Sequence, residues 1–275
     1  MLVYHVDAFA HRPFAGNPAA VCLLSRPRDE AWMHALALEL NLPMTAFVLR
    51  DGEADHGFRL RWFGVAGESQ LCGHATLATA HVLWQTGQAR PAEPIRFLTA
   101  GGDLYARQLE AGWIELDFPA EPATAEARPE LAAALGVEAR WMGRSRLHFL
   151  VEVESEAAVR AVRPDFDRLA AALPPARGVV VTARADASVG AHAGGHDFVS
   201  RFFAPAIGIY EDAVTGSAHC SLGPYWAAKL GKTRLAALQA SARGGALRVR
   251  VAGERVHLAG QAVSLLRAEL LEGGE

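Results

Sequence analysis

The sequence predicts an α+β protein of two pseudo-symmetric halves, each a curved mixed sheet wrapped around a central buried helix. Two observations carry this prediction: one motif occurs once in each half of the chain, and a largely apolar helical segment follows each copy. A helix that is apolar on nearly all sides is buried on nearly all sides, so strands must enclose it. We expect halves at residues 1–120 and 121–275, joined by a connector rich in Pro, Ala and Glu.

Each copy of the motif contains an Arg-aromatic-Phe triplet, a helix start that includes Gly, and a helix that ends at Gly. The copies are residues 61–63, 72–76 and 87, and residues 201–203, 215–219 and 231. A strand that turns through Gly into a helix leaves free backbone N–H groups at the helix start, and these attract anions and carboxylates. Two such starts that face one another would frame a polar pocket, so the cleft between the halves is the expected ligand site.

The elements of the first half follow from the side-chain pattern. Segment 29–40 predicts a helix, because Trp32, Leu36 and Leu40 recur at a spacing of four and Pro43 prevents simple continuation. Segment 73–86 predicts the first buried helix. Strands are expected where β-formers predominate between turn signals, at 2–9, 19–24, 45–50, 57–63, 94–99, 103–109 and 113–118.

The second half repeats this plan after the connector at 121–129. A helix is expected at 155–172, interrupted near Pro164, and the second buried helix at 216–230, bent if it includes Pro224. The final strand is a candidate to cross back to the first half. Strands are expected at 146–154, 178–182, 198–203, 246–251 and 255–266.

Composition argues against several classes of function. A net charge of −3 with scattered basic residues argues against nucleic acid as a partner. No apolar run has the length of a membrane span, and the first residues lack the basic flank and apolar core of a signal peptide. Three cysteines without CxxC pairs fit a reducing cytoplasm. No metal-ligand set or nucleotide-binding motif stands out, so neither a metal nor a cofactor is expected.

Six strings, in this order and spacing, resemble the phenazine-biosynthesis PhzF-like family, which shares its fold with diaminopimelate epimerase. The resemblance covers nearly the whole chain. It implies two pseudo-symmetric halves with an active site between them and, often, a homodimer. The strings are residues 6–9, 14–21, 45–48, 60–63, 71–78 and 211–218.

The resemblance also implies cofactor-independent isomerisation, in which a proton moves within a small cyclic or amino-acid-derived carboxylate. In the family's best-known reaction the substrate is trans-2,3-dihydro-3-hydroxyanthranilate. A second interpretation is a catalytically impaired protein that retains the fold as a small-carboxylate binding or protein-interaction module.

Two titratable residues are the candidate catalytic groups. Asp212, just before the second helix start, is expected to act as a general base; the alternative is that it only caps the helix. His74, in the first helix start, is expected to polarise a carbonyl or to carry a proton; the alternative is a bond to the neighbouring loop. We expect the two residues to share the proton transfer.

The candidate substrate-binding residues surround the same helix starts. Gly73, Gly216 and Ser217 are expected to offer donors to a substrate carboxylate, although Ser217 suits an N-cap nearly as well. Asn17 is expected either to line the cleft or to build a turn. Thr76 completes the expected set together with Met44, which the resemblance places in the cleft.

The sequence departs from the family pattern at its central residue. The family usually has Ser-Glu before the Thr-Ala-Phe string, and that Glu is its proton shuttle; here Pro43 and Met44 occupy these positions. Residues 64–66 are a second departure, where the family more often has Thr-Pro. Cys72 is expected to be an inert buried residue or to act alone as a thiol, because Thr215 stands at its counterpart and leaves no second thiol for two-base racemisation.

Overall fold

The computed structural model describes residues 1–52, 57–173, 178–186 and 195–271, and its fold class is the predicted α+β. The strands, in chain order, are β1 (Leu2–Ala8), β2 (Asn17–Leu24), β3 (Thr45–Arg50), β4 (Gly57–Gly64), β5 (Gly67–Ser69), β6 (Ile95–Thr99), β7 (Gly102–Gln108), β8 (Ile114–Pro119), β9 (Thr124–Ala125), β10 (Trp141–Arg144), β11 (His148–Glu152), β12 (Gly178–Arg184), β13 (Phe198–Ala204), β14 (Ile209–Asp212), β15 (Arg234–Gln239), β16 (Gly245–Ala252), β17 (Arg255–Gly260) and β18 (Ala262–Glu269). The helices are α1 (Glu30–Leu40), α2 (Gly73–Gln85), α3 (Pro129–Leu135), α4 (Glu156–Ala161), α5 (Phe166–Ala172) and α6 (Gly216–Leu230).

The chain divides into two compact units. The first contains Met1–Asp117 and Ala259–Glu275, and the second contains Phe118–Leu258. Strand β18 thus lies in the first unit, where it pairs antiparallel with β1. None of the helices in the described ranges has the length and apolar character needed to cross a bilayer.

The first unit contains a mixed sheet in the order β18-β1-β2-β3-β4-β6-β7-β8. Pairs β2–β3 and β4–β6 are parallel, and the other pairs are antiparallel. A parallel pair needs a crossover connection, which α1 supplies between β2 and β3, and α2 between β4 and β6. The far end of β4 pairs instead with the short β5, which leads toward α2.

The second unit repeats the order and directions of the first seven of these strands, as β9-β10-β11-β12-β13-β15-β16. Its parallel pairs are β11–β12, connected through α4 and α5, and β13–β15, connected through α6. The far end of β13 pairs with β14, as β4 does with β5. The matching order and directions account for the repeated motif that the sequence displays.

Each unit buries one helix. In α2 every residue except His81 and Gln85 is buried, and the helix packs on β1, β2, β3 and β18. Helix α6 packs on β11, β15 and β16, and it includes Pro224. Both helices are followed by a Gly in the left-handed region, with φ of 69° at Gly87 and 64° at Gly231.

The predicted helix at 155–172 is two helices, α4 and α5, with Pro164 in the break. Ser155 and Asp165 cap their starts by accepting from the N–H groups of Ala158 and Arg168. The predicted strand at 255–266 is likewise divided, because Gln261 separates β17 from β18. The sequence does not predict β5, β9, β10, β14, β15 or α3.

Candidate active site

The two Arg-aromatic-Phe triplets place matching ion pairs beside the helix starts. Arg61 Nε and Nη2 donate to the two carboxylate oxygens of Glu68 at 2.6 and 2.7 Å. Arg201 forms the same bidentate pair, with Nε and Nη2 donating to the two carboxylate oxygens of Glu211 at 2.7 and 2.9 Å. The hydrogen bonds from Arg61 hold the pKa of Glu68 below its usual range. Both oxygens of Glu68 are therefore engaged in structure, and this residue is a poor candidate for moving a proton.

The starts of α2 and α6 are built alike. Cys72 and Thr215 are the N-cap residues, both with extended backbone, and neither side chain caps its helix. The carbonyl of each N-cap accepts from the side chain four residues later: from Thr76 Oγ1 at 2.5 Å, and from His219 Nδ1 at 2.8 Å. Because no N-cap side chain bonds them, the first N–H groups of each helix suit an anionic ligand.

His74, the second residue of α2, is a neutral imidazole in a buried position. It is 8% exposed, and burial lowers its pKa to about 4. Its Nδ1 lies 3.6 Å from Cys72 Sγ. Its Nε2 has no hydrogen-bond partner among the residues that the structure describes. A neutral imidazole at pH 7 is better suited to polarising a carbonyl through an N–H than to delivering a proton as imidazolium.

The other predicted residues of the first unit lie on β2, just before β3 or within α2. Asn17 begins β2 and is fully buried, and Thr76 is fully buried with its hydroxyl proton used inside α2. Met44 directly precedes β3, and its carbonyl accepts from the N–H of Ala20 at 3.0 Å. The Cε and Sδ atoms of Met44 lie 3.5 and 3.7 Å from the point that a Cβ on Gly64 would occupy. The two positions that depart from the family pattern are therefore neighbours.

Asp212 ends β14, and the start of α6 holds it in place. Thr215 Oγ1 donates to Asp212 Oδ2 at 2.6 Å, and Gln239 Nε2 donates to the Asp212 carbonyl at 2.8 Å. The other end of the same amide, Gln239 Oε1, accepts from the Thr215 N–H at 2.8 Å. The N-cap of α6 is Thr215, three residues after Asp212.

Ser217, the second residue of α6, has a partner that sequence reasoning missed. Its Oγ lies 2.9 Å from Nε2 of His148, the first residue of β11. Ser217 is therefore not the N-cap of α6. No sequence signal links these residues, which are 69 positions apart, because their contact depends on the pairing of strands. The second unit thus groups Asp212, Gly216 and Ser217 at one helix start, and the first groups Gly73, His74 and Thr76 at another.

Two buried histidines make stability depend on pH. Burial lowers the pKa of His74 and of His219 to about 4, whereas an unfolded chain has a histidine pKa of about 6.5. Between these values only the unfolded state takes up protons, so acidification favours unfolding. The free energy of unfolding is expected to fall by about 1.4 kcal/mol per pH unit for each of the two groups as the pH drops from about 6.5 toward 4.

The variant His219→Asn is expected to remove one of these two contributions, because an amide keeps a donor for the Thr215 carbonyl but does not titrate. Urea unfolding at pH 6 and pH 5 measures the difference, with His11→Asn at an exposed position as the control. Equal pH slopes for wild type and His219→Asn would contradict the expectation.

Comparisons with known proteins identify relatives along the whole chain. An uncharacterized isomerase of Halalkalibacterium halodurans is 45% identical over 271 residues, covering 98% of each chain. The crystal structure of a PhzF-family phenazine biosynthesis protein of Enterococcus faecalis superposes with a TM-score of 0.88 at 39% identity, covering 98% of this chain and 99% of that one. A predicted epimerase of Pseudomonas aeruginosa shares the fold, with a TM-score of 0.75 at 23% identity and 99% of each chain covered.

The family model described as phenazine biosynthesis-like protein matches residues 6–268. With that match and these relatives, the chain belongs to the PhzF family of phenazine biosynthesis-like proteins.

Proposed function

We propose that this chain is a cofactor-independent isomerase that moves a proton within a small cyclic or amino-acid-derived carboxylate, of the type that isomerises trans-2,3-dihydro-3-hydroxyanthranilate. Membership of the PhzF family supports the reaction class, and so does the naming of a 45% identical relative as an isomerase. The observation that carries the proposal is His74 at the start of α2, buried and neutral, with an Nε2 that no described residue binds.

The proposed carboxylate site uses donors that the helix starts already present. Backbone N–H groups at Gly73 and Gly216 and the hydroxyl of Ser217 suit a carboxylate, since helix starts favour negative charge. Asn17, Thr76 and Met44 are the proposed neighbours of the substrate ring.

Asp212 is the proposed proton carrier. In the reaction a C–H bond of the substrate breaks, its proton passes to a carboxylate oxygen of Asp212, and the electron pair shifts along the conjugated system. Asp212 then delivers a proton to a different carbon, so nothing is oxidised or reduced and no cofactor is needed; because a carboxyl proton exchanges with solvent, the delivered proton can come from water. The hydrogen bond from Thr215 Oγ1 at 2.6 Å fixes the carboxylate for this task.

His74 is the proposed electrophile. As the electron pair shifts, negative charge grows on a substrate oxygen, and an N–H at Nε2 would stabilise it. A buried donor is worth more there than in water, because few other dipoles compete for the charge. The low pKa of His74, about 4, suits this role, since the imidazole stays neutral and keeps its hydrogen bond without losing a proton.

Met44 leaves Asp212 as the group that carries out both proton-transfer steps. A thioether neither accepts nor releases a proton near pH 7, so the shuttle that the family places at this position is absent. Asp212 then carries both the removal and the return of the proton. The side-chain end of Met44 lies beside Gly64, which has no side chain to occupy that space.

The direct test is turnover of trans-2,3-dihydro-3-hydroxyanthranilate by purified protein that has been dialysed against a chelator and receives no cofactor. We expect conversion, followed by NMR of the ring protons. No conversion of this compound or of related ring carboxylates, alongside conversion by an active member of the family, would overturn the proposal.

A second candidate function is a small-carboxylate binding module without catalysis, and Met44 is the observation that favours it. Under this alternative a stable ring carboxylate such as anthranilate binds. The ring protons of trans-2,3-dihydro-3-hydroxyanthranilate, however, do not exchange with solvent. Binding together with turnover would exclude it.

A further inference from the structure

We propose that His148 is a positioning residue that directs the hydroxyl proton of Ser217 toward the substrate carboxylate. The inference rests on the proposed function, which assigns the carboxylate to the start of α6. It adds a residue from β11 that neither the motif nor the family pattern singled out.

A tight turn fixes the backbone of His148. The N–H of Ser145 donates to the His148 carbonyl at 2.9 Å, and the N–H of His148 donates to Ser145 Oγ at 3.0 Å. The Ser145 hydroxyl itself donates to the His148 carbonyl at 3.1 Å. Three hydrogen bonds to one serine therefore set where β11 begins and where its first side chain leaves the strand.

Packing fixes the ring of His148. The rings of His148 and Phe202 pack in a T-shaped arrangement, with centroids 4.8 Å apart and planes at 78°. Phe202 is itself confined, because its ring occupies the space that a side chain on Gly178 would need: a Cβ there would lie 2.1 Å from Phe202 Cζ. With backbone and ring both constrained, Nε2 of His148 is held 2.9 Å from Ser217 Oγ.

The direction of that hydrogen bond decides what Ser217 offers a ligand. A serine hydroxyl has one proton to donate, and a carboxylate can only accept. If Nε2 of His148 were unprotonated, Ser217 would donate to it and turn lone pairs toward the carboxylate, which repel it. If Nε2 carries a proton, it donates to Ser217 Oγ and leaves the serine proton for the ligand. Each donor in such a series strengthens the next.

A second histidine–serine pair of this kind occurs elsewhere in the protein. On the first unit, His81 Nε2 lies 3.2 Å from Ser264 Oγ, and the Ser264 hydroxyl donates to Gln85 Oε1 at 2.6 Å. The serine proton goes to the amide oxygen, so the imidazole supplies the proton between His81 and Ser264. At His148 and Ser217 the substrate carboxylate takes the place of that amide oxygen.

Two substitutions of His148 separate this role from a structural one. His148→Leu removes the donor, whereas His148→Gln keeps an N–H close to the position of Nε2. We expect His148→Leu to weaken anthranilate binding about tenfold, because a hydrogen bond to a charged group is lost or misdirected, and His148→Gln to stay within about threefold of wild type. His81→Leu, which breaks the matching pair outside the site, is expected to leave the affinity unchanged.

Nitrogen-15 NMR of the histidine rings supplies a readout that does not depend on activity. We expect Nε2 of His148 to be protonated in the ligand-free protein and its resonance to shift when anthranilate binds. An unprotonated Nε2, or equal anthranilate affinity for His148→Leu and wild type, would overturn the inference. If the wild type binds no anthranilate and isomerises nothing, the proposed function fails, and the protonation of Nε2 still decides the direction of the bond.

Discussion

Replacing Asp212 with Asn is expected to lower kcat for ring-proton transfer by about 10²- to 10⁴-fold, the range that a positioned general base contributes. The amide oxygen can still accept the hydrogen bond that Thr215 Oγ1 now donates to Oδ2 at 2.6 Å, so the start of α6 should keep its geometry. What disappears is the capacity to take up a proton. Steady-state kinetics with dihydro-hydroxyanthranilate measures the loss.

Comparing kcat with anthranilate affinity distinguishes a lost proton-transfer group from a general loss of binding. Anthranilate affinity of Asp212→Asn should remain within about threefold of wild type, since a uniform loss of binding would not lower kcat alone. Asp103→Asn is the control, because Asp103, on β7, forms its ion pair with Arg96 on β6 and not with a residue of either helix start. Retention of more than a tenth of wild-type kcat by Asp212→Asn would remove Asp212 from the role of base.

Replacing His74 with Phe is expected to lower kcat by about 10²- to 10³-fold, the cost of losing one donor to a developing oxyanion. A phenyl ring preserves the apolar burial of this position but has no nitrogen for the substrate oxygen. His74→Gln, which keeps an N–H, should recover part of the loss. The variant His34→Phe on α1 serves as the control.

The pH profile tests the protonation state of His74. With its pKa lowered to about 4 by burial, the imidazole stays neutral from pH 5.5 to 8, and kcat should show no inflection from His74 in that range. An acidic limb near pH 6 that disappears in His74→Phe would mean that the imidazolium is the active form, and would contradict the proposed role.

Local sequence pattern predicted those elements whose signals lie within the element. The strand at 45–50 and the helix at 216–230 have the bounds that were expected, since a run of β-formers and a Gly-led apolar segment mark them. Strand β15 was missed because Arg-Leu-Ala-Ala-Leu-Gln favours a helix by propensity, and only pairing with β13 and β16 makes it a strand. Helix α3 was missed although Pro129 starts it and Gly136 ends it in the left-handed region.

In the candidate site, too, sequence predicted the residues that belong to a local motif and missed the partners that come from other elements. The repeated motif singled out His74, Asp212 and Ser217, because a Gly-led helix start is a local feature. It did not reveal Gln239, which bridges Asp212 and Thr215, or His148, which reaches Ser217 from another strand. Such partners are brought together by strand order, and no single segment of sequence encodes that order.

The sequence likewise did not predict the ion-pair partner of the arginine in each triplet. Arg61 and Arg201 were recognised as repeated, but their partners Glu68 and Glu211 were not. In the structure both carboxylates bind the guanidinium through two oxygens. The triplet therefore repeats for a structural reason, namely to fix the strand that leads toward each helix start.

The most direct test of Asp212 as the proton carrier is deuterium incorporation into the ring of dihydro-hydroxyanthranilate in deuterated water, followed by NMR for wild type, Asp212→Asn and Met44→Glu. We expect isomerisation with exchange at ring carbon by the wild type and none by Asp212→Asn, because Asp212 carries the proton without help from position 44. No exchange by the wild type, together with exchange by Met44→Glu, would contradict this expectation. It would show that the loss of the family's glutamate left a scaffold that binds but does not catalyse.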